Sequence, residues 1–139
     1  MDRKRALEIV RQHIKNESLI HHMQAVEAAM VYYAEKLGQD VDTWAIAGIL
    51  HDYDWEIHPS SESHPLDGLP YLREQGVSEE ILYAIAAHAD HAEYPRKSLL
   101  DRYLYACDEI TGMITAVALV RPSRSLYDLQ ASSVKKKWK

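Results

Sequence analysis

An all-α fold, a compact bundle of about six helices, is what this sequence predicts. Three observations carry the prediction. Apolar residues recur at three- and four-residue spacing nearly throughout the 139-residue chain. Capping residues, glycines and prolines punctuate that spacing where helices should start and stop. No segment shows the strict alternation of a half-buried strand, and no internal repeat or linker divides the chain.

Taken in order, Asp2 is placed to cap a first helix reaching about His13. Ser18 would cap a second, which runs to Leu37 and is stopped by Gly38, with an apolar stripe of Leu19, Val26, Ala29, Tyr33 and Leu37. A third begins near Asp42 and ends at His51-Asp52. Its stretch from Trp44 to Leu50 is apolar all round, the pattern of a buried helix. A polar loop from Tyr53 to Ser63 follows, with Pro59 and three serines. Pro65 suits the first turn of a fourth helix that Gly76 ends, and Ser78 would cap a fifth to about His88. The longest helix spans Ser98 to Val120 and is closed by Arg121-Pro122, after which Ser125 starts a short turn. Ser132 to Lys139 reads as the opening turn of a further helix with no stop signal. One domain over residues 1–139, lacking a C-terminal helix or tail, is therefore expected. The four lysines of that ending read as a solvated basic end, with contact to phosphate or a partner as the lesser alternative.

Composition narrows the class. A chain of this length supports one domain with a real core. The hydrophobic fraction of 47% fits a globular protein. No apolar run reaches the roughly 18–20 residues of a membrane span, and the charged start leads into no signal-peptide core. The single cysteine, Cys107, excludes an intramolecular disulfide and a cysteine-rich zinc site, so a cytoplasmic location is the expectation. A net charge of −5 does not favour nucleic acid as a partner. The sequence carries no sign of oligomeric state. Histidine is the outlier, with eight residues against no phenylalanine.

Several polar residues fall where a core should be. His51-Asp52 ends the most apolar helix, where two polar groups cost free energy unless paired or metal-bound. His22 joins the stripe of the second helix, while His21 sits about 100° round it. His88 follows Ile81 and Ile85 at helical spacing, Asp108 lies inside the long helix, and His64 heads the fourth. Gly112, one turn beyond Asp108, leaves open space beside that carboxylate. Singly, each has an ordinary structural reading. Together, His22, His51, Asp52, His64, His88 and Asp108 ask for something that satisfies them all, and a metal cluster does so. Imidazole with carboxylate suits Mn, Fe, Co, Ni or Zn, and one carboxylate can bridge two ions.

In this order the residues resemble the HD-domain metal-dependent phosphohydrolase superfamily: a His on one helix, a His-Asp pair ending another, and an Asp on a later long helix. The match is His22, His51-Asp52 and Asp108. Two-metal members add two histidines between the pair and the last Asp. His64 and His88 fit those places, although His58 and His91 lie near enough to take them. The segments His22–Glu27, Ala47–Trp55 and Ala106–Gly112 agree with the superfamily further, and Ala118–Ser123 and Ser133–Lys137 look like a bacterial and archaeal branch of predicted HD hydrolases, in which the chain is expected to continue further.

The resemblance implies an HD-domain-like bundle and an enzyme that cleaves a small phosphate ester, a nucleotide among the candidates, with metal-activated water. One or two divalent ions (Mn, Fe, Co, Ni, Zn or Mg) would be its cofactor. His22, His51, Asp52 and Asp108 would hold the first, and Asp52 would bridge to a second on His64 and His88. His51 and Asp52 are the expected catalytic pair. Glu27, Asp54 and Glu109 are candidates to orient the histidines. Of Arg73, Arg96, Lys97, Arg121 and Arg124, the pair Arg121 and Arg124 is favoured to meet the substrate phosphate, because it follows the helix bearing Asp108. Trp55, in the loop rimming the site, would pack or stack on a base. Two other functions fit the same residues: an HD-fold di-iron oxygenase, and a non-catalytic regulatory module that binds metal.

Overall fold

Asp2, Asn16, Asp40, Ser78 and Ser98 each accept a hydrogen bond from the backbone amide three residues on, and each starts a helix. The computed structural model describes residues 1–60 and 62–137. Among these, the elements are α1 (Arg3–His13), α2 (Glu17–Leu37), α3 (Val41–Leu50), α4 (Leu69–Glu74), α5 (Glu79–Ala87), α6 (Leu99–Leu119) and α7 (Ala131–Lys136). Short 3-10 turns at Leu66–Gly68 and Asp90–Ala92 precede α4 and follow α5. No strand occurs among the described residues, so the fold is the all-helical bundle expected.

The differences from expectation lie at the helix starts. Asn16 caps α2, and Asp40 caps α3 two residues before the expected Asp42. Pro65 opens a 3-10 turn instead of α4, whose early proline is Pro70. Ser125 starts only turns, and the last helix begins at Ala131. Ser61 of the polar loop, with Trp138 and Lys139 of the basic ending, lies outside the described residues.

α3 is the central element. It packs against α1, α2, α5 and α6, and every residue from Trp44 to Leu50 is buried. Its crossing with α2 is tight: a Cβ at Gly48 would stand 2.9 Å from the Glu27 Cα. Only a residue without a side chain allows the two backbones to meet there. The buried stripe of α2 is Ile20, Met23, Val26, Met30 and Ala34, one residue round from the expected one. Leu19, Ala29 and Tyr33 flank it, partly buried, and Leu37 is exposed. α2 carries apolar residues over more than one stripe, so periodicity alone could not choose between adjacent faces. α6 closes the other side with its own buried row of Leu100, Leu104, Cys107 and Thr111. No helix of the described residues is long and apolar enough to cross a membrane.

Candidate metal centre

The bundle brings six polar side chains from five segments to one place. His22 comes from the middle of the second turn of α2, at the edge of its buried stripe. His51 and Asp52 follow the last turn of α3. Asp108 projects from α6, half a helix in. His64 ends the loop after α3, and His88 caps the C-terminus of α5. One ligand atom each from His22, His51, Asp52 and Asp108 lies within 4.8 Å of the others, and the same holds for Asp52, His64 and His88.

Asp52 stands between the two groups and shows each a different oxygen. Its Oδ2 lies 3.3 Å from His51 Nε2 and 3.9 Å from His22 Nε2. Its Oδ1 lies 3.2 Å from the Nε2 atoms of both His64 and His88. Asp108 Oδ1 completes the first group, 2.8 Å from His22 Nε2 and 3.4 Å from His51 Nε2.

The other ring nitrogens explain this geometry. His51 Nδ1 donates to the Gly48 carbonyl at 2.7 Å, and His88 Nδ1 donates to the Ile85 carbonyl. His64 Nδ1 donates to Asp54 Oδ1 at 2.6 Å. With Nδ1 carrying the hydrogen, Nε2 of each neutral ring is left as a lone pair. Three lone pairs thus face carboxylate oxygens, acceptor against acceptor. His51 Nε2 is fully buried and makes no hydrogen bond at all. Such a group is costly unless a cation sits between it and the carboxylates. The donor set of imidazoles and carboxylates, aimed inward with one ring edge fixed, fits a divalent metal.

The titration behaviour has the same cause. Burial disfavours the charged form of His51, but Asp52 and Asp108 overcome it and raise the imidazole well above its usual value. Burial would lift Asp52, yet His51, His64 and His88 hold it well below the carboxylate range. Asp108 is likewise held low against its burial by His22 and His51. His64 is opposed by burial and carried up to about 9 by Asp52 and Asp54. Without an ion, protons supply the positive charge this cluster needs.

Asp54 is the one proposed orienting carboxylate that reaches the cluster. It is 1% exposed, and its close fit depends on Gly68, where a Cβ would stand 2.9 Å from the Asp54 carboxylate. Glu27, buried at the crossing of α2 and α3, pairs instead with Arg3, and Glu109 is exposed. Neither makes a hydrogen bond to a histidine of the cluster among the described residues: Glu27 is taken up by Arg3, and Glu109 points to solvent. Asp54 could be found in sequence only as a carboxylate two residues past the His-Asp pair. Gly68 gave no sequence signal, since its role arises from a contact across 14 residues of chain, from 54 to 68.

The remaining residues sort clearly. His21 is exposed, and His58 is half-buried outside both groups. His91 is exposed and donates to the His64 carbonyl, touching the second group only through its backbone. Trp55 packs edge-on against the His64 ring at 4.9 Å. The cations are engaged elsewhere. Arg73 pairs with Glu79, Arg96 with Asp90 and the Ala87 carbonyl, and Lys97 lies over the Tyr83 ring. Arg121 donates to Ser133 and to the Asp128 carbonyl, tying the turn after α6 to α7. At about 1.5 Å per residue, the end of α6 lies roughly 17 Å beyond Asp108. The phosphate role expected for Arg121 and Arg124 finds no support in this placement: Arg121 is held on α7, and Arg124 is exposed in the turn with φ 53°. Cys107 is buried beside Asp108, which together push its thiol up to about 11, so it is no ready ligand.

A cleft of about 380 Å³ opens beside His22. Ser18, His21, Ala25, Gly112, Thr115 and Leu126 line the rest of it. Gly112 has nothing within 4 Å of where a Cβ would stand. It costs the helix roughly 1 kcal/mol relative to alanine and relieves no contact within the protein.

Comparison with known proteins agrees with the residues. The family model for the HD domain matches residues 19–113, which include all six clustered side chains. Ribonuclease Y of Desulfotalea psychrophila is 35% identical over 97 residues, covering 69% of this chain and 18% of that protein. Ribonuclease Y of Nitratidesulfovibrio vulgaris is 32% identical over 98 residues, 70% of this chain and 18% of the relative. That of Chlorobium chlorochromatii is 26% identical over 123 residues, 84% of this chain and 23% of the relative. The chain thus spans less than a quarter of the length of these curated relatives. No solved structure matches.

Proposed function

The chain belongs to the HD-domain family of metal-dependent phosphohydrolases, and from that premise we propose that its centre hydrolyses a small phosphate ester, with a nucleotide among the candidate substrates. The observation that carries the reading is the convergence of three imidazole Nε2 atoms on the two oxygens of Asp52, at 3.2 to 3.3 Å. His22, His51, Asp52 and Asp108 would hold one divalent ion, and Asp52, His64 and His88 a second. When bound, such an ion supplies a Lewis acid for a phosphoryl oxygen and lowers the pKa of water toward about 7.

The chain's own residues do the rest. The Gly48 and Ile85 carbonyls and the Asp54 carboxylate fix the imidazoles of His51, His88 and His64, so that none of these three rings must turn to bind. His22 and Asp108 are the more exposed side chains of the cluster, and His22 lines the cleft from which a substrate would enter. Asp52 holds an oxygen toward each group and is the residue through which both would act together.

The relatives' name, Ribonuclease Y, denotes cleavage of a phosphodiester and supports phosphoryl chemistry over oxygenation. A small substrate is favoured over RNA because no lysine or arginine lines the cleft, whereas a nucleic-acid backbone is met by cations. The test is elemental analysis of the purified protein together with a screen of phosphate monoesters and a short RNA under several divalent metals. Metal content with metal-dependent release of phosphate from a monoester is expected. Protein that holds no metal and takes up none overturns the reading. Oxygen consumption by iron-loaded protein would favour the oxygenase, and metal binding without any turnover the regulatory module.

A further inference from the structure

The cleft beside His22 has a chemical character that the metal cluster lacks. Besides His22, its polar groups are the hydroxyls of Ser18 and Thr115 and the imidazole of His21, and Ala25 and Leu126 supply an apolar wall. No carboxylate, lysine or arginine lines it. Its size falls in the range of small-molecule sites, about 300–1,000 Å³. A second phosphate would lack a cation here, and an amine would lack a carboxylate. A neutral group bearing hydroxyls finds both hydrogen-bonding partners and an apolar face. Gly112 stands one turn beyond Asp108 on the same face of α6, so the open space begins directly beside the cluster.

We propose that this cleft receives the alcohol portion of the ester, that it selects a neutral hydroxylated group such as a sugar or nucleoside, and that Gly112 determines this selectivity by leaving the cleft open. The proposal rests on the phosphohydrolase reading for the reaction but not for the binding. No contact within the protein requires glycine at 112, and a mid-helix glycine weakens α6. A side chain at 112 would project into the space the organic group needs while leaving the metal-facing residues in place.

The experiment measures binding and turnover separately on metal-loaded protein. Adenosine 5′-monophosphate, ribose 5-phosphate and inorganic phosphate are titrated calorimetrically into the wild type and Gly112→Leu, with metal content determined for each. At least one of the two esters is expected to bind the wild type about tenfold or more tighter than inorganic phosphate. In Gly112→Leu that advantage should disappear, with metal content and inorganic phosphate affinity unchanged. Gly112→Ala should raise the melting temperature by a few degrees and show an intermediate ester affinity. Esters that bind the wild type no better than inorganic phosphate overturn the proposal, as does a Gly112→Leu protein that keeps the full advantage or loses all three ligands equally. Selective binding without turnover would leave the cleft standing and sink the hydrolase reading. Turnover without selective binding would do the reverse.

Discussion

His22 and Asp108 stand within helices of 21 residues and His51 ends the 10-residue helix between them, whereas His64 stands in a loop and His88 ends a helix of only nine residues. The first group is placed by α2, α3 and α6, and its buried imidazole is fixed by a carbonyl of its own helix. The second depends on a loop, a 3-10 turn and the end of a nine-residue helix, and one of its imidazoles is fixed by a carboxylate from that loop. The contrast teaches that one cluster can be rigid by two routes. Long helices carry precision in their packing. Short segments need a dedicated hydrogen bond, and here a glycine to admit it.

The sharpest way to break the contrast is to remove what the groups share. Asp52→Ala should abolish metal at both and reduce turnover below detection, read by elemental analysis and phosphate release. An ion retained on His64 and His88 would show that the second group stands alone. His22→Ala comes next in size. It should cost the ion of the first group and all turnover, while roughly half of the metal stoichiometry remains. Loss of everything would mean that the second group cannot fill without the first.

Asp54→Asn tests the route by which the second group is held. It should weaken that group's metal affinity by about 10–100-fold and spare the first, as measured by competition with a chelator. Gly68→Ala should do the same by another means, since a Cβ there collides with the Asp54 carboxylate. If either variant weakens both groups equally, the two are not separately supported. Smallest of all, His21→Ala and His58→Ala should leave metal content as in the wild type. A loss comparable to that of His22→Ala would mean that the histidines belong differently than their positions indicate.

What was legible in the sequence follows the same division. His51-Asp52 could be picked out because a helix apolar from Trp44 to Leu50 leaves polar groups conspicuous at its end. Asp108 stood out within a similarly apolar stretch, and His22 beside apolar residues at helical spacing. His88 was read from its helical spacing after Ile81 and Ile85, while His64 had only its place before Pro65; His58 and His91 competed with them for the places the resemblance gives, because spacing says little in loops. The cluster includes His64 and His88 and leaves out the two competitors. Asp54 could not be separated from Glu27 and Glu109, since its role is created by the approach of Gly68 from another segment. Arg121 illustrates the opposite case. It follows the right helix, but α6 is long enough to carry it away from Asp108, and Ser133 and Asp128 occupy it. Asp2, Ser78 and Ser98 cap as expected, but the caps of α2 and α3 were missed by small margins for a local reason: Asn16 and Ser18, or Asp40 and Asp42, are all competent caps, and tertiary packing decides which amide is left exposed.

The crossing at Gly48 bears on how such a protein can change over time. The spacing of α2 and α3, and through it that of His22 and His51, is gauged by main chain against main chain instead of by interlocking side chains. Core residues elsewhere can therefore drift in size and shape without recalibrating the distance between the two imidazoles. Position 48 is the exception. The tolerance of the surrounding core is bought by the intolerance of one small residue.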